Sequence, residues 1–357
     1  MLKLLIPFRH ADPISTLCTR VHETEQASWH TKSMRFKKQR KWLFFLFLLG
    51  FTAVNWVSWN HAWRMTHFVE MGERTKSPED LSTFEKIPLL VFGITVPRPQ
   101  TVQTPADYDL TFEAVLIESG EHTLSGWVIP SQTQPTLGTI LLFHGYASAK
   151  DNLLTEAEAF HQMGYTTMLV DFRGSGSSTG QNTTVGYEEA EDVEAAFRFA
   201  QDAKLAQPIL MYGMSMGGAA AMRAVATTDI KPDGLIIEAV FDEMLSTVEN
   251  RFDAMGIPSF PAAELLVFWG GVQVGFNGFQ HNPADYAEEI SIPILLLHGQ
   301  NDPRATLEQG EKLFECLASA DKKMVVFQGA EHESNIHVDS DLWRSEVEGF
   351  LNTISNR

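Results

Sequence analysis

Pro208-Ile209-Leu210-Met211-Tyr212-Gly213-Met214-Ser215-Met216-Gly217-Gly218-Ala219-Ala220-Ala221-Met222 is the stretch on which the reading of this chain turns. Its first part is a short run apolar on both faces, which suits a strand covered on either side by helices. Its last part, continuing to Thr227, reads as a helix rich in alanine. Between them lies Gly-x-Ser-x-Gly. A serine on a sharp strand-to-helix turn sits in a strained backbone conformation, so the residues two positions away must be small, and Gly213 and Gly217 meet that need. The helix that follows aims its first amides and the positive end of its dipole toward developing negative charge. This context makes Ser215 a candidate nucleophile.

Working outward, the same alternation repeats. Continuous apolar runs at 139–143, 166–170, 209–212, 235–237, 294–297 and 324–327 predict parallel strands. Helical patterns are expected at 152–163, 185–203, 216–227, 307–319 and 339–352. Two segments with period-two alternation, 111–118 and 123–129, predict antiparallel strands at the start. The fold class is therefore α/β: a mostly parallel eight-stranded sheet with helices on both faces. From about 242 to 290 the alternation lapses, and an insertion is expected to form a small helical cap.

A serine needs an adjacent base, and the base needs an orienting group. Asp302 follows the run 293–297 through His298-Gly299-Gln300-Asn301. His332 follows the run 324–327 through Gly329-Ala330-Glu331. Both therefore fall at the carboxyl ends of strands, on the rim where open α/β sheets build their sites. The chain order serine, acid, histidine is that of proteins carrying this elbow. Glu238, Asp242 and His337 are rivals; Asp302 is preferred because it lies in the loop after the penultimate strand with a helix following, and His332 because it immediately follows the last strand's turn. The backbone N–H groups of Met216 and of Tyr146, in the loop His144-Gly145-Tyr146, are the candidate oxyanion donors. His144 reads as a hydrogen-bonded structural histidine. The loop 171–180 lacks the third glycine of a dinucleotide fingerprint and reads as a rim loop, with Asp171 and Arg173 in structural hydrogen bonds. No metal-binding or nucleotide motif is found, so no cofactor is expected.

In order, HGYAS, DFRGSGSSTG, GMSMGG, HGQND and GAEH resemble the α/β-hydrolase superfamily, and most of all its bacterial monoacylglycerol-lipase-like and serine-aminopeptidase-like branch. The resemblance covers roughly 107–357. It implies cofactor-free hydrolysis of an ester, thioester or amide, and a cap over the nucleophile. Phe268, Trp269, Phe276 and Phe279 are then expected to line an acyl-accepting or lipid-facing surface, or else to pack an extra helix. The family often has Val-Pro shortly after the acid; here Asp302 is followed by Pro303-Arg304-Ala305-Thr306.

The chain has 357 residues and a formal net charge of −18, unevenly placed. Residues 1–41 carry nine Lys/Arg against three acids, so the remainder is strongly acidic. Such a body repels phosphate backbones, which argues against nucleic acid as a partner. Two cysteines, Cys18 and Cys316, form no metal or redox motif. Trp42–Val57 holds no charge, and 42–59 reaches the lower length for a transmembrane helix. Trp42, Trp56 and Trp59 mark its ends, and the basic cluster before it places the N-terminus in the cytoplasm and the catalytic body outside. A cleaved signal peptide is disfavoured by the lack of a small-x-small site, and a core helix by the uniform apolarity. The expected organisation is 1–41 basic cytoplasmic segment, 42–59 signal anchor, 60–106 linker with a short helix near 81–93, and 107–357 catalytic domain. Residues 1–33 read as a mis-called or dispensable leader before Met34. The function expected is hydrolysis of a small hydrophobic or lipid-like ester, with no obligate protein partner. The alternatives are a serine aminopeptidase, whose peptide amine Glu264, Asp285, Glu288 or Glu289 would hold, and a catalytically silent membrane-tethered binding protein.

Overall fold

The computed structural model describes residues 13–76 and 81–355. The basic residues before position 13, and with them the start of the 1–33 leader, lie outside the described residues. Two compact units divide at Trp56 and Val57.

The first unit is the greater part of one long helix, α1, spanning Pro13–Thr66. Proline at its first position needs no intrahelical donor, and no further proline interrupts the sequence until Pro78. Met34–Thr66 is the one described helix long and apolar enough to cross a membrane. The polar side chains in its apolar stretch turn back on their own helix: Thr52 Oγ1 donates to Leu48 O at 2.8 Å and Asn55 Nδ2 to Phe51 O at 2.9 Å. Such bonds let these groups lie in an apolar helix without exposing a free donor.

The second unit holds an eight-stranded sheet in the order β1-β2-β4-β3-β5-β6-β7-β8. The strands are β1 Glu113–Ser119, β2 His122–Ile129, β3 Thr139–Phe143, β4 Thr166–Val170, β5 Ile209–Met214, β6 Gly234–Glu238, β7 Ile294–Gly299 and β8 Lys322–Phe327. β1 and β2 are antiparallel and the rest run parallel, as their patterns predict. Alternate side chains go to opposite faces. Leu141, Met211, Ile237 and Leu296 join a core with α4 (Glu189–Asp202), α5 (Met216–Thr227) and α9 (Leu307–Cys316). Their neighbours Leu142, Leu210, Ile236 and Leu295 join another with α3 (Leu154–Gln162) and α10 (Ser340–Ser355).

The expected helix at 185–203 begins four residues later. Glu189 is buried and accepts from Thr183 Oγ1, Thr184 Oγ1 and the amides of Thr184 and Gly186, so the preceding residues are held as a turn. The insertion at 242–290 forms α6 (Met244–Met255), α7 (Ala262–Val274) and the short α8 (Pro283–Ala287).

The segment expected as a linker, 60–106, carries the short helix read near 81–93 and packs on the body. Residues 57–106 belong to the same compact unit as the sheet. Their helix α2 spans Thr83–Phe92, and Lys86 Nζ donates to the carbonyls of Ala254 and Met255 at the end of α6. Val69 pairs with Pro97 and His67 with Asn182 as isolated bridges. Arg98 donates to the carbonyls of Ser178 and Gly180 in the rim loop. Phe68, Val96 and Ala147 form a small apolar cluster. Phe68 and Val96 are buried by this packing, while Met71, Phe84, Phe92 and Val102 stay exposed.

Candidate active site

Ser215 sits between β5 and α5 with φ 51° and ψ −116°, a left-handed conformation costly for a residue with a Cβ. Two bonds hold it there: its amide donates to Glu238 O at 2.7 Å, and its carbonyl accepts from Ala219 N at 3.0 Å. The flanking glycines are required by space. A Cβ on Gly213 would stand 2.6 Å from Gly218 N, and one on Gly217 only 2.2 Å from Phe143 O.

Asp302 and His332 arrive from the loops after β7 and β8. Ser215 Oγ lies 3.0 Å from His332 Nε2, and His332 Nδ1 lies 2.7 Å from Asp302 Oδ2. The other carboxylate oxygen of Asp302 accepts from Arg304 N at 2.8 Å and Ala305 N at 2.9 Å. Pro303 supplies no donor, so the amides on the acid are those of the two residues after it. Burial works to raise the Asp302 pKa, but the hydrogen bond and charge of His332 together with these two amides hold it below its ordinary value. The carboxylate is therefore anionic beside the imidazole, as an orienting acid must be.

Met216 is the first residue of α5, where amides have no intrahelical acceptor. The loop carrying Tyr146 passes close by: a Cβ built on Gly145 would lie 3.7 Å from Ser215 Cβ. The five residues singled out from the sequence (Ser215, Asp302, His332, Met216 and Tyr146) thus gather at one rim. Chemically, the arrangement can draw a proton from the serine and present amides to an oxyanion.

The rivals go elsewhere. Glu238 turns away to accept from Tyr212 OH at 2.7 Å, Trp343 Nε1 at 3.2 Å and the amide of Asn335. Asp242 pairs with Lys312 at 2.9 Å. His337 lines the cavity but is not part of the relay. His144 is buried, with Nδ1 2.8 Å from Gly145 O and Nε2 accepting from Phe172 N at 3.1 Å, the structural histidine expected. Asp171 pairs with Lys150 and Arg173 with Asp192, so the rim loop is ion-paired.

Ser215 and His332 open into a cavity of about 400 Å³. Its apolar wall includes Leu89, Ile94, Val96, Val248, Phe252 and Leu266. Arg74, Lys76, Arg251 and Arg304 also line it, and no Asp or Glu does among the described residues. None of the four cap aromatics lines this cavity, so the acyl-accepting role expected for them is not what the structure shows here, and the packing alternative describes most of them better. Phe268 packs edge-on against Trp269, Trp269 against Trp59, and Phe276 stacks on Tyr187. Phe279 is partly exposed. The cap reaches the site through α6 and the aliphatic Leu266, because the helix register turns the aromatics of α7 to other surfaces. The wall that Met65, Leu81, Leu89, Ile94 and Val96 give this cavity was not assigned to the site from the sequence, where the segment carries no strand pattern.

Residues 134–245 and 279–340 match the family model described as serine aminopeptidase, S33. The gap in that match holds most of α6 and all of α7. The chain is 24% identical over 243 residues to the uncharacterized protein YqkD of Bacillus subtilis, covering 66% of this chain and 77% of that one. It is 26% identical over 186 residues to the lysophosphatidylserine lipase ABHD12 of Xenopus tropicalis, covering 51% of this chain and 47% of that one. The esterase Pf2001 of Pyrococcus furiosus superposes with a TM-score of 0.61 at 25% identity, covering 72% of this chain and 97% of that one. The chain belongs to the α/β-hydrolase superfamily. Within it, fold and relatives alike make the chain a hydrolase.

Proposed function

We propose that the chain is a membrane-tethered serine hydrolase that cleaves carboxylic esters or thioesters through an acyl-enzyme on Ser215. The observation that carries this reading is the relay of 3.0 Å and 2.7 Å bonds from Ser215 through His332 to Asp302, opening into a largely apolar cavity. Ser215 Oγ attacks the ester carbonyl while His332 takes its proton. The Met216 and Tyr146 amides receive the oxyanion. His332 then protonates the departing alcohol and afterwards activates the water that releases the acid. Asp302 keeps the imidazole in the tautomer with Nδ1 protonated and stabilises the imidazolium. In this reading 42–59 anchors the chain, with the N-terminus cytoplasmic and the catalytic body outside.

The aminopeptidase alternative draws support from the name of the matching family model. Against it, a peptide amine calls for carboxylates in the cavity. Glu264, Asp285, Glu288 and Glu289, the groups considered for that role, do not line it. The test is fluorophosphonate labelling together with hydrolysis of a chain-length series of chromogenic esters, using the wild type beside Ser215→Ala. Labelling and turnover that vanish together in the variant support the reading. A wild type that folds but takes no label removes Ser215 as nucleophile and leaves the binding-protein alternative.

A further inference from the structure

Helix α7 lacks the polar face that a surface helix turns to water. Ala262–Val274 contains one ionisable residue, Glu264. Along one side of it Leu265, Phe268, Trp269 and Val272 fall three and four residues apart, the spacing of a single helical face. Phe268 is 47% exposed and Val272 51%. Leu266 stands two residues before Phe268, and so about 200° around the helix. It lines the cavity at Ser215. One side of α7 thus walls the site, and the other leaves Phe268 and Val272 uncovered.

What stands beside this face is fixed by Trp59. The Trp59 ring meets that of Trp269 edge-on at 5.1 Å, and the Trp59 carbonyl accepts from Gln273 Nε2 at 2.8 Å. A second helix reaches the next residue: Asn60 Nδ2 donates to the carbonyl of Phe92, the last residue of α2, at 3.2 Å. Phe92 is exposed, as is Trp63, one turn beyond Trp59. The anchor expected at 42–59 ends on Trp59, and tryptophan at the end of a spanning helix sits at head-group level. Whatever touches Trp59 is held at that level too. At 13 residues α7 is too short to span. A short helix held there can bury an apolar side about 5–10 Å into the boundary between head groups and acyl chains.

Resting on the anchor reading above, we infer that the outer face of α7, with Phe268 and Val272, and the end of α2 at Phe92 form a docking surface for the membrane that the anchor crosses. The catalytic body then meets the bilayer along a face rather than by a single tether. Leu89 of α2 and Leu266 of α7 line the cavity, so docking these two helices holds the cavity at the lipid surface.

The test uses the full-length chain reconstituted in dioleoylphosphatidylcholine vesicles, with Cys18 and Cys316 replaced by serine. One cysteine is introduced in turn, as Phe268→Cys, Val272→Cys, Phe92→Cys or Leu137→Cys, and carries a nitrobenzoxadiazole fluorophore. Quenching by phosphatidylcholine spin-labelled near the top of its acyl chain is measured. Leu137, exposed just before β3, lies at the strand ends opposite Ser215 and is the reference. Quenching at positions 268, 272 and 92 is expected to exceed that at 137 by at least about threefold. Phe268→Asp combined with Val272→Asp, both at exposed positions, should lower quenching at 92 about twofold, since carboxylates resist burial in lipid, with circular dichroism unchanged. Quenching at 268 and 272 no greater than at 137, in a chain that floats with the vesicles, overturns the inference and leaves the anchor intact. Blue-shifted emission at 268 without lipid quenching also overturns it, and gives the face to a second copy of the chain. Undiminished quenching at 92 in the double variant assigns the contact to the anchor alone and likewise overturns it. A chain that carbonate washes from the vesicles overturns the anchor reading, and the inference with it.

Discussion

The Tyr146 hydroxyl donates a 2.6 Å hydrogen bond to the carbonyl of Met65, 81 residues away in the chain. Met65 lies in the last turn of α1, where carbonyls lack intrahelical donors. Tyr146 satisfies one of them, and in doing so ties down the loop that passes close to Ser215. Tyr146→Phe removes this bond and little else. We expect a loss of about 1 kcal/mol in stability and a several-fold fall in kcat with KM less affected, read from steady-state ester hydrolysis. An unchanged kcat would show that the loop holds its position without the contact.

The second unit needs its N-terminal part. Residues 57–106 supply Phe68 and Val96 to a small core and a wall to the cavity. A chain starting at 57 should fold and take a fluorophosphonate label, whereas one starting at 107 should label poorly and melt at lower temperature. Equal labelling of the two would demote the segment to a passive covering.

Asp302→Asn keeps the shape of the acid loop but loses the charge and favours the wrong imidazole tautomer. A fall of about 10³- to 10⁴-fold in kcat is expected. Because the Asp302 pKa is depressed in the folded state, its carboxylate contributes stability above the ordinary aspartate range, and that contribution is lost as pH falls through the depressed value. The Asn variant should therefore lose stability less steeply on acidification, as thermal melts across acid pH can show.

Gly217→Ala places a Cβ 2.2 Å from the Phe143 carbonyl, which is backbone of a central strand and cannot yield. We expect a destabilisation above about 3 kcal/mol, or failure to fold, visible in urea titration. A variant that melts like the wild type would mean that the elbow is looser than its geometry.

Behind the site, Glu156 and Glu238 are buried, and burial raises the pKa of each to about 7. Glu156 Oε1 accepts from Ser334 Oγ, and Glu238 accepts from Asn335 N, so both grip the loop just after His332. A carboxyl with a raised folded pKa favours folding in its protonated form. Its cost therefore appears as pH climbs from the unfolded value, near 4.5, through about 7. Glu156→Gln is expected to match the wild type at pH 5 and to exceed it at pH 8 by of the order of 2 kcal/mol. Parallel melting curves for the two proteins at both pH values would refute this.

The sequence alone determined the sheet, because runs such as Ile209–Tyr212 are apolar on both faces and only a covered parallel strand accommodates them. It also determined the elbow, since the glycines around Ser215 answer a local steric demand written within five residues. Asp302 and His332 were legible for a related reason: a parallel sheet brings all strand ends of one direction to one rim, so counting strands places the residues that follow them.

The tertiary structure decided what depends on contact between distant segments. It packed Met65 and Arg98, which flank the stretch without strand pattern, against Tyr146 and the rim loop. It turned Glu238 toward Tyr212 and Trp343 rather than His332. It faced α6, rather than the aromatics of α7, toward the nucleophile, and it gathered arginines from three separate segments around one cavity. Local patterns fix the conformation of a short stretch through sterics and periodicity. Which side chains meet across 80 or 100 residues is set by how the finished elements pack, and no spacing along the chain records it.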